Sequence, residues 1–100
     1  MGIFDLFKGN KTPHEIFHDN GKIKQRGHRD WLGRTMGLIK FYDQQKLIKQ
    51  ESQYLKNKKQ GEEKLFYLNG NISSTQIYVD DKLEGKRVMY YKNGEVQSLT

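Results

Sequence analysis

GKRVMYYKNGEV, residues 85–96, is the clearest indication of how this 100-residue chain folds, because it places an Asn-Gly pair between two runs of strand-forming residues. Asn-Gly between apolar-rich runs is the strongest short-range signal of a β-hairpin. We predict a two-residue type I′ turn at this pair, since both central residues of that turn need positive φ. Residues 61–72, GEEKLFYLNGNI, carry the same arrangement.

The hairpin signal repeats along the chain. Gly37, Gly61 and Gly85 are spaced by 24 residues, and a strand-like run and a turn follow each of them. The first repeat keeps Asn-Gly at residues 20–21, whereas the second has Gln-Gln at residues 44–45. We expect a distorted or longer turn there. A period of this length indicates a repeat architecture, in which no single unit can bury its apolar face alone.

The pattern predicts an all-β fold, an antiparallel meander of about eight strands built from four stacked β-hairpins. Tight turns are expected inside each hairpin. Longer polar loops are expected between hairpins, at residues 32–37, 56–61 and 80–85.

The first residues of the chain differ from the repeats in composition. Residues 3–7 form a short apolar cluster, IFDLF, which predicts one helical turn at the N-terminus. We assign residues 1–13 to an N-terminal apolar segment and linker, and residues 14–100 to the repeat domain. The cluster is too short for a secretion signal, and no apolar run approaches the roughly 20 residues of a membrane-spanning helix.

Alignment of the repeats on their turns gives columns of side chains, and each column lies on one face of the sheet. Two columns are expected to form the core: Phe17, Phe41, Phe66 and Tyr90, with Ile23, Leu47, Ile72 and Val96 just past the turns. A further aromatic column precedes the repeat glycines: Trp31, Tyr54 and Tyr78.

The column next to the first aromatic one points to the opposite face and is the first candidate for a partner-binding surface. It consists of His18, Tyr42, Tyr67 and Tyr91. Tyr is enriched at protein interfaces, but it is also a common strand residue, so a half-exposed structural role stays open.

Charge is the second pointer to a partner. The chain has 18 Lys and Arg against 12 Asp and Glu, a net charge of +6, with the excess in the middle of the sequence. We add Lys56, Lys58 and Lys59 to the candidate partner-binding residues, because a basic patch attracts an acidic partner. Lysines on exposed strands also block edge-to-edge pairing, so that role stays open. Nucleic acid is disfavoured, since Lys outnumbers Arg and no nucleic-acid-binding motif is present.

The sequence carries no recognisable catalytic motif and no cysteine. His14, His18 and His28 all lie in the first repeat, but the predicted hairpin does not bring their rings together, so we expect no metal site. Residues 80–84, which contain three carboxylates, are interpreted as an ordinary turn. We therefore expect neither enzymatic activity nor a cofactor.

The pattern Gly-x-x-x-x-Tyr-Tyr-x-Asn-Gly-x-hydrophobic resembles the MORN-repeat variant of bacterial YwqK-type antitoxin proteins. Residues 85–96 match it best, followed by residues 61–72, and the resemblance covers about residues 16–99. It implies a non-catalytic, cytoplasmic protein of bacterial or phage type. Such a protein neutralises a cognate toxin or effector by stoichiometric binding.

Other interpretations stay open beside this one. The chain would be a membrane-surface scaffold if residues 3–7 anchored it, or a basic nucleic-acid-binding module. The first and last strands of the sheet also offer edges for a homodimer, at residues 15–19 or 95–100.

Overall fold

Residues 12–100 are described by a computed structural model, and all their regular structure is β-strand. The eight strands are β1 (Thr12–Phe17), β2 (Ile23–Arg29), β3 (Thr35–Tyr42), β4 (Ile48–Leu55), β5 (Lys58–Phe66), β6 (Ile72–Val79), β7 (Lys82–Tyr90) and β8 (Val96–Leu99). The helical turn predicted at residues 3–7 lies outside the described residues, as does most of the predicted linker.

Residues 12–100 contain no helix that could span a membrane.

The strands form one open sheet in the order β1 to β8, and every neighbouring pair is antiparallel. The predicted all-β meander of eight strands is confirmed. We number the hairpins 1 to 4: β1–β2, β3–β4, β5–β6 and β7–β8. The turns inside the four hairpins lie along one edge of the sheet, which we call the turn edge. The three connections between hairpins form the opposite edge.

The turns inside the hairpins are three-residue loops, so the prediction of two-residue type I′ turns is wrong. In hairpin 1, the Gly21 amide donates to the His18 carbonyl at 2.9 Å, and the His18 amide donates to the Lys22 carbonyl at 2.8 Å. Gly21 has φ 86°, whereas Asn20 is not left-handed. This is a type I turn followed by a G1 bulge. The Asn20 side chain contributes an acceptor, for the Lys22 amide at 2.9 Å.

The turn of hairpin 2 has the same geometry although it lacks Asn-Gly, so the expectation of a distorted or longer turn is also wrong. The Asp43 amide donates to the Leu47 carbonyl, and the Lys46 amide donates to the Asp43 carbonyl. Lys46 has φ 70° and takes the left-handed position that glycine fills elsewhere. The Asp43 carboxylate accepts from the amides of Gln45 and Leu47.

This turn corrects the alignment of the second repeat by one residue. The last paired residues before each turn are Phe17, Tyr42, Phe66 and Tyr90, opposite Ile23, Ile48, Ile72 and Val96. Tyr42 rather than Phe41, and Ile48 rather than Leu47, therefore belong to the columns predicted as core. In every hairpin the residue next to the last pair on the second strand is unpaired in a bulge. These residues are Lys24, Lys49, Ser73 and Gln97.

Two connections between hairpins are much tighter than the polar loops predicted at 56–61 and 80–85. Lys56 and Asn57 have φ 52° and 70°, and Asp80 and Asp81 have φ 50° and 69°. Both pairs therefore form two-residue type I′ turns. The first connection, residues 30–34, is a three-residue loop instead. It contains Trp31, which consequently does not belong to a strand column.

The repeat glycines lie inside strands rather than in loops. Around Gly61, the pairs Ser52–Glu63 and Tyr54–Lys59 leave three residues of β5 opposite one residue of β4. Gly61 has φ 116°, a conformation that other residues rarely adopt. The bulge shortens β5, so that Lys59 and Glu63 come within reach of each other on one face.

The most buried side chains are polar, contrary to the predicted aromatic core. Ile39 is the one buried hydrophobic residue among residues 12–100. The buried polar residues are His14, Ser52, Glu63, Ser74 and Gln76. Phe17 is 55% exposed, and Phe41, Phe66 and Tyr90 are half-buried. A sheet without a second layer in its described part gives the aromatic rings little to pack against, and hydrogen bonds between strands replace them.

Candidate functional site

Glu63 is the centre of a hydrogen-bonded cluster on the face that also carries Ile39. Its carboxylate accepts from Ser52 Oγ at 2.6 Å, Gln50 Nε2 at 2.9 Å and Gln76 Nε2 at 2.7 Å. Lys59 Nζ lies 2.6 Å from Glu63 Oε2. The carboxylate thus has four donors, from β4, β5 and β6, which satisfies a charge that would otherwise be costly to bury.

Charge and burial act against each other in this cluster. Burial raises the pKa of Glu63, but hydrogen bonds from Lys59, Ser52 and Gln76 outweigh it and leave the pKa below its ordinary value. Burial lowers the pKa of Lys59, but the hydrogen bond to Glu63 outweighs it and leaves the pKa raised. Both groups are therefore charged at neutral pH.

Tyr54 and Tyr78, from the aromatic column that precedes the repeat glycines, lie beside this ion pair. The Lys59 ammonium lies 4.7 Å from the centre of the Tyr78 ring, a cation–π distance. Burial raises the pKa of Tyr54. Lys59 is therefore engaged by a carboxylate and a ring, which limits its use as a free cation for a partner. Because the Glu63 carboxylate is saturated with donors from the chain itself, the cluster stabilises the sheet.

The predicted column of partner-binding residues lies on the turn edge, and the structure divides it. His18, Tyr67 and Tyr91 occupy equivalent positions at the start of their turns, where hairpin 2 has Asp43. Tyr42 lies one position earlier and is the last paired residue of β3. The structure therefore brings three of the four residues into one column.

Two members of this column connect neighbouring hairpins. His18 Nε2 donates to the Tyr42 carbonyl at 3.0 Å, and the Tyr67 hydroxyl donates to the Tyr90 carbonyl at 2.5 Å. Both bonds run from one hairpin to the same position in the next. Tyr91 belongs to the last hairpin and is 51% exposed.

An apolar groove of about 340 Å³ lies on the turn edge between hairpins 3 and 4. It is lined by Tyr67, Leu68, Asn69 and Lys92. The Asn69 side chain donates to the Lys92 carbonyl at 3.0 Å and fixes the two turns to each other. Leu68 is 80% exposed, so the groove has an apolar side chain at its mouth.

Sequence reasoning missed Leu68, although a signal was present. Leu68 is the first residue of its three-residue loop, and the equivalent residues in the other hairpins are Asp19, Gln44 and Lys92. An apolar residue where the repeat elsewhere uses polar ones marks a position that the turn itself does not require.

The predicted basic residues lie on the opposite edge. Lys56 and Lys58 are exposed beside the turn between β4 and β5. The next turn carries Asp80 and Asp81, and Asp81 Oδ1 accepts from the Lys59 amide at 2.6 Å. A carboxylate of that turn is therefore bound to the backbone of Lys59.

The other polar residues considered from the sequence are engaged within the sheet. His14 Nε2 donates to Gln25 Oε1 at 2.9 Å, and His14 Nδ1 accepts from Arg29 Nε at 2.9 Å. Asp80 and Asp81 form the turn predicted for them. Within residues 12–100, no group of three or more His, Asp or Glu side chains is arranged to hold a metal ion.

Comparison with known proteins identifies the family of the repeat. The model of the MORN repeat variant family matches residues 13–30, 59–80 and 83–100, which together make up more than half of the chain. The comparisons gave no match among curated proteins or solved structures. The unmatched stretch contains hairpin 2, whose Asn-Gly turn is replaced although its fold is the same. The chain therefore belongs to the MORN repeat variant family.

Proposed function

We propose that this protein is a non-catalytic protein-binding module of the antitoxin or immunity type, and that it binds its partner protein through the turn edge. The observation that carries the proposal is the apolar groove between hairpins 3 and 4, with Leu68 exposed at its mouth. Exposed apolar and aromatic side chains beside polar groups are typical of the energetic centre of an interface.

The hydrogen bonds between turns support the same proposal. The bond from Tyr67 to the Tyr90 carbonyl and the bond from Asn69 to the Lys92 carbonyl hold both walls of the groove in place. A surface that is formed before binding loses little conformational entropy when a partner docks. MORN repeats suggest a repeat-based binding module, and the turn edge offers one continuous surface across all four hairpins.

The proposal is tested by capture of partners from the native cell lysate, with Leu68→Asp as the key variant. Leu55→Asp is the matched control, because Leu55 is also exposed (53%) but lies at the opposite edge. We expect one stoichiometric protein that survives about 0.5 M salt, where exposed charges are largely screened. It should be lost with Leu68→Asp and retained with Leu55→Asp. Equal capture by both variants would remove the turn edge from the proposal.

The antitoxin part needs a second experiment. The captured protein is expressed alone and together with the wild-type chain, and growth of the host is measured. We expect growth arrest by the partner alone and recovery on co-expression, but no recovery with Leu68→Asp. If the partner alone does not arrest growth, the antitoxin role is excluded and only the binding function remains.

A further inference from the structure

The turn edge carries a second feature at hairpins 1 and 2, four exposed lysines. They are Lys22, Lys24, Lys46 and Lys49. None of them forms a salt bridge with a carboxylate of residues 12–100. Lys59 is paired with Glu63, whereas Lys56 and Lys58 are exposed at the opposite edge. Residues 17–24 and 42–49 thus carry four lysines against Asp19 and Asp43, a net charge of +2, whereas the equivalent residues 66–73 and 90–97 carry Lys92 and Glu95, a net charge of 0.

Two of these lysines occupy structurally equivalent positions. Lys24 and Lys49 are the unpaired bulge residues of their hairpins, so their side chains leave the sheet in the same way. Their strands are separated only by β3, which places their backbones roughly 10 Å apart. The equivalent residues in hairpins 3 and 4 are Ser73 and Gln97, which carry no charge. The positive cluster is thus a property of one half of the turn edge.

Lys46 adds an independent observation, because it occupies a backbone conformation that costs free energy. It has φ 70°, where the other three turns have Gly21, Gly70 and Gly94. An L-residue is strained in the left-handed region, whereas glycine is not. Strain of this kind is retained where the surroundings or the function require the side chain. The turn gains nothing from a lysine that a glycine would not supply, which points to a use for the charge.

We infer that Lys22, Lys24, Lys46 and Lys49 form an electrostatic docking site for a carboxylate-rich surface of the partner protein. This inference rests on the proposed function and adds the chemistry of the partner to it. Lysine presents a compact point charge and lacks the planar fork with which arginine pairs two phosphate oxygens. Such point charges attract anionic groups without selecting their geometry, and because the proposed partner is a protein, those groups are the carboxylates of Asp and Glu. The apolar groove anchors the partner, and the lysines attract and orient it.

The test uses a polyglutamate peptide as the probe, at about 0.05 M salt, where screening is weak. The variant Lys24→Gln/Lys49→Gln is compared with Ser73→Glu/Gln97→Glu. Both double variants lower the net charge by the same amount, at equivalent bulge positions in different hairpins. We expect the lysine variant to bind at least about fivefold more weakly than wild type, and the control to change binding by less than about twofold. Thermal unfolding is measured to check that both double variants fold.

Lys46→Gly provides a second test, because it should change stability and binding in opposite directions. We expect it to raise the melting temperature by about 4 °C, because the strain is relieved, and to weaken polyglutamate binding by about twofold to threefold. If the Lys46 side chain had no role in binding, the melting temperature would rise but polyglutamate binding would stay unchanged.

Three results would overturn the inference. Equal weakening by both double variants would show that only net charge matters. Failure of the wild type to bind polyglutamate would remove the site. Tighter binding of a single-stranded oligonucleotide of equal charge, dependent on Lys24 and Lys49, would assign the site to phosphates. The inference and the proposed function fail separately: if Leu68→Asp abolishes partner capture but Lys24→Gln/Lys49→Gln leaves the amount captured at about 0.05 M salt unchanged, the proposed function stands without this docking site.

Discussion

Replacement of Glu63 by Gln tests whether the charged cluster, rather than an aromatic core, holds the sheet together. The side chain keeps its size and one carbonyl oxygen, but the negative charge is lost. Gln76 can rotate its amide, and its Oε1, which has no hydrogen-bond partner, would then accept from the new amide group. The variant therefore avoids two donors facing each other, and the measurement isolates the charge.

The magnitude follows from the four donors around the carboxylate. A hydrogen bond to a charged group contributes about 1 kcal/mol more than a neutral one. Three of the four donors are neutral and account for about 3 kcal/mol of the free energy of unfolding, and loss of the ion pair with Lys59 adds up to about 1 kcal/mol, a total of about 3–4 kcal/mol. This is a large fraction of the stability of a small domain, which is about 5–15 kcal/mol. Urea unfolding followed by far-ultraviolet circular dichroism measures the loss.

The pH dependence gives this prediction a sign. The pKa of Glu63 is lowered in the folded protein, so the stability it contributes is present above the unfolded pKa, about 4.3, and is lost as pH falls through the folded pKa. The pKa of Lys59 is raised, so its contribution is present below about pH 10.4 and is lost as pH rises through the folded pKa. The gap between wild type and Glu63→Gln should therefore be full at pH 7 and shrink below about pH 4.

Glu62→Gln is the matched control, because Glu62 is the neighbouring residue and its side chain is 53% exposed. Its contact with Lys64 is 3.9 Å long, and we expect a loss below about 0.5 kcal/mol. A loss below about 1 kcal/mol for Glu63→Gln at pH 7, or a gap that stays constant down to pH 3, would refute the reasoning.

Three further substitutions test the geometry of the repeat by the same unfolding measurement. Gly61→Ala should cost about 1–2 kcal/mol, because the bulge holds this residue at positive φ, and an unchanged midpoint would contradict the strain. Tyr67→Phe removes the hydroxyl that donates to the Tyr90 carbonyl and should cost about 1 kcal/mol, and a neutral effect would show that this bond adds nothing. Asn57→Ala removes the acceptor for the Thr35 amide at 2.8 Å and places alanine at φ 70°, so it should cost about 2 kcal/mol, and no loss would contradict both effects.

The fold was predictable from the sequence because the glycine spacing and the Asn-Gly pairs are local signals. The type of turn was not, since Asn-Gly suits two geometries. In these hairpins the asparagine side chain accepts a backbone hydrogen bond, as in Asn20, and only the glycine is left-handed. The type I′ turns lie instead at Lys56-Asn57 and Asp80-Asp81, where no glycine marks them.

The site was predictable only in part, because it depends on register. The prediction that His18, Tyr67 and Tyr91 are equivalent is confirmed, whereas Tyr42 lies one position earlier because the Gln-Gln turn shifts the alignment by one residue. The contacts that shape the turn edge join residues more than 20 positions apart, as in the bond from His18 to the Tyr42 carbonyl. No local pattern reveals them. The polar core around Glu63 depends on register too, because it joins Glu63 of β5 to residues of β4 and β6 that are 11 to 13 positions away.

The strand order has a mechanical consequence. Every strand pairs only with its neighbours along the chain, from β1 to β8. Force applied to the two ends would therefore load one ladder of hydrogen bonds at a time and peel the sheet strand by strand. Extension should proceed in a series of small steps at low force, and the inner hairpins would keep their shape while a hairpin at the end of the sheet opens. A partner seated on the turn edge would act as a clamp across several hairpins at once, and would turn this gradual peeling into a single rupture.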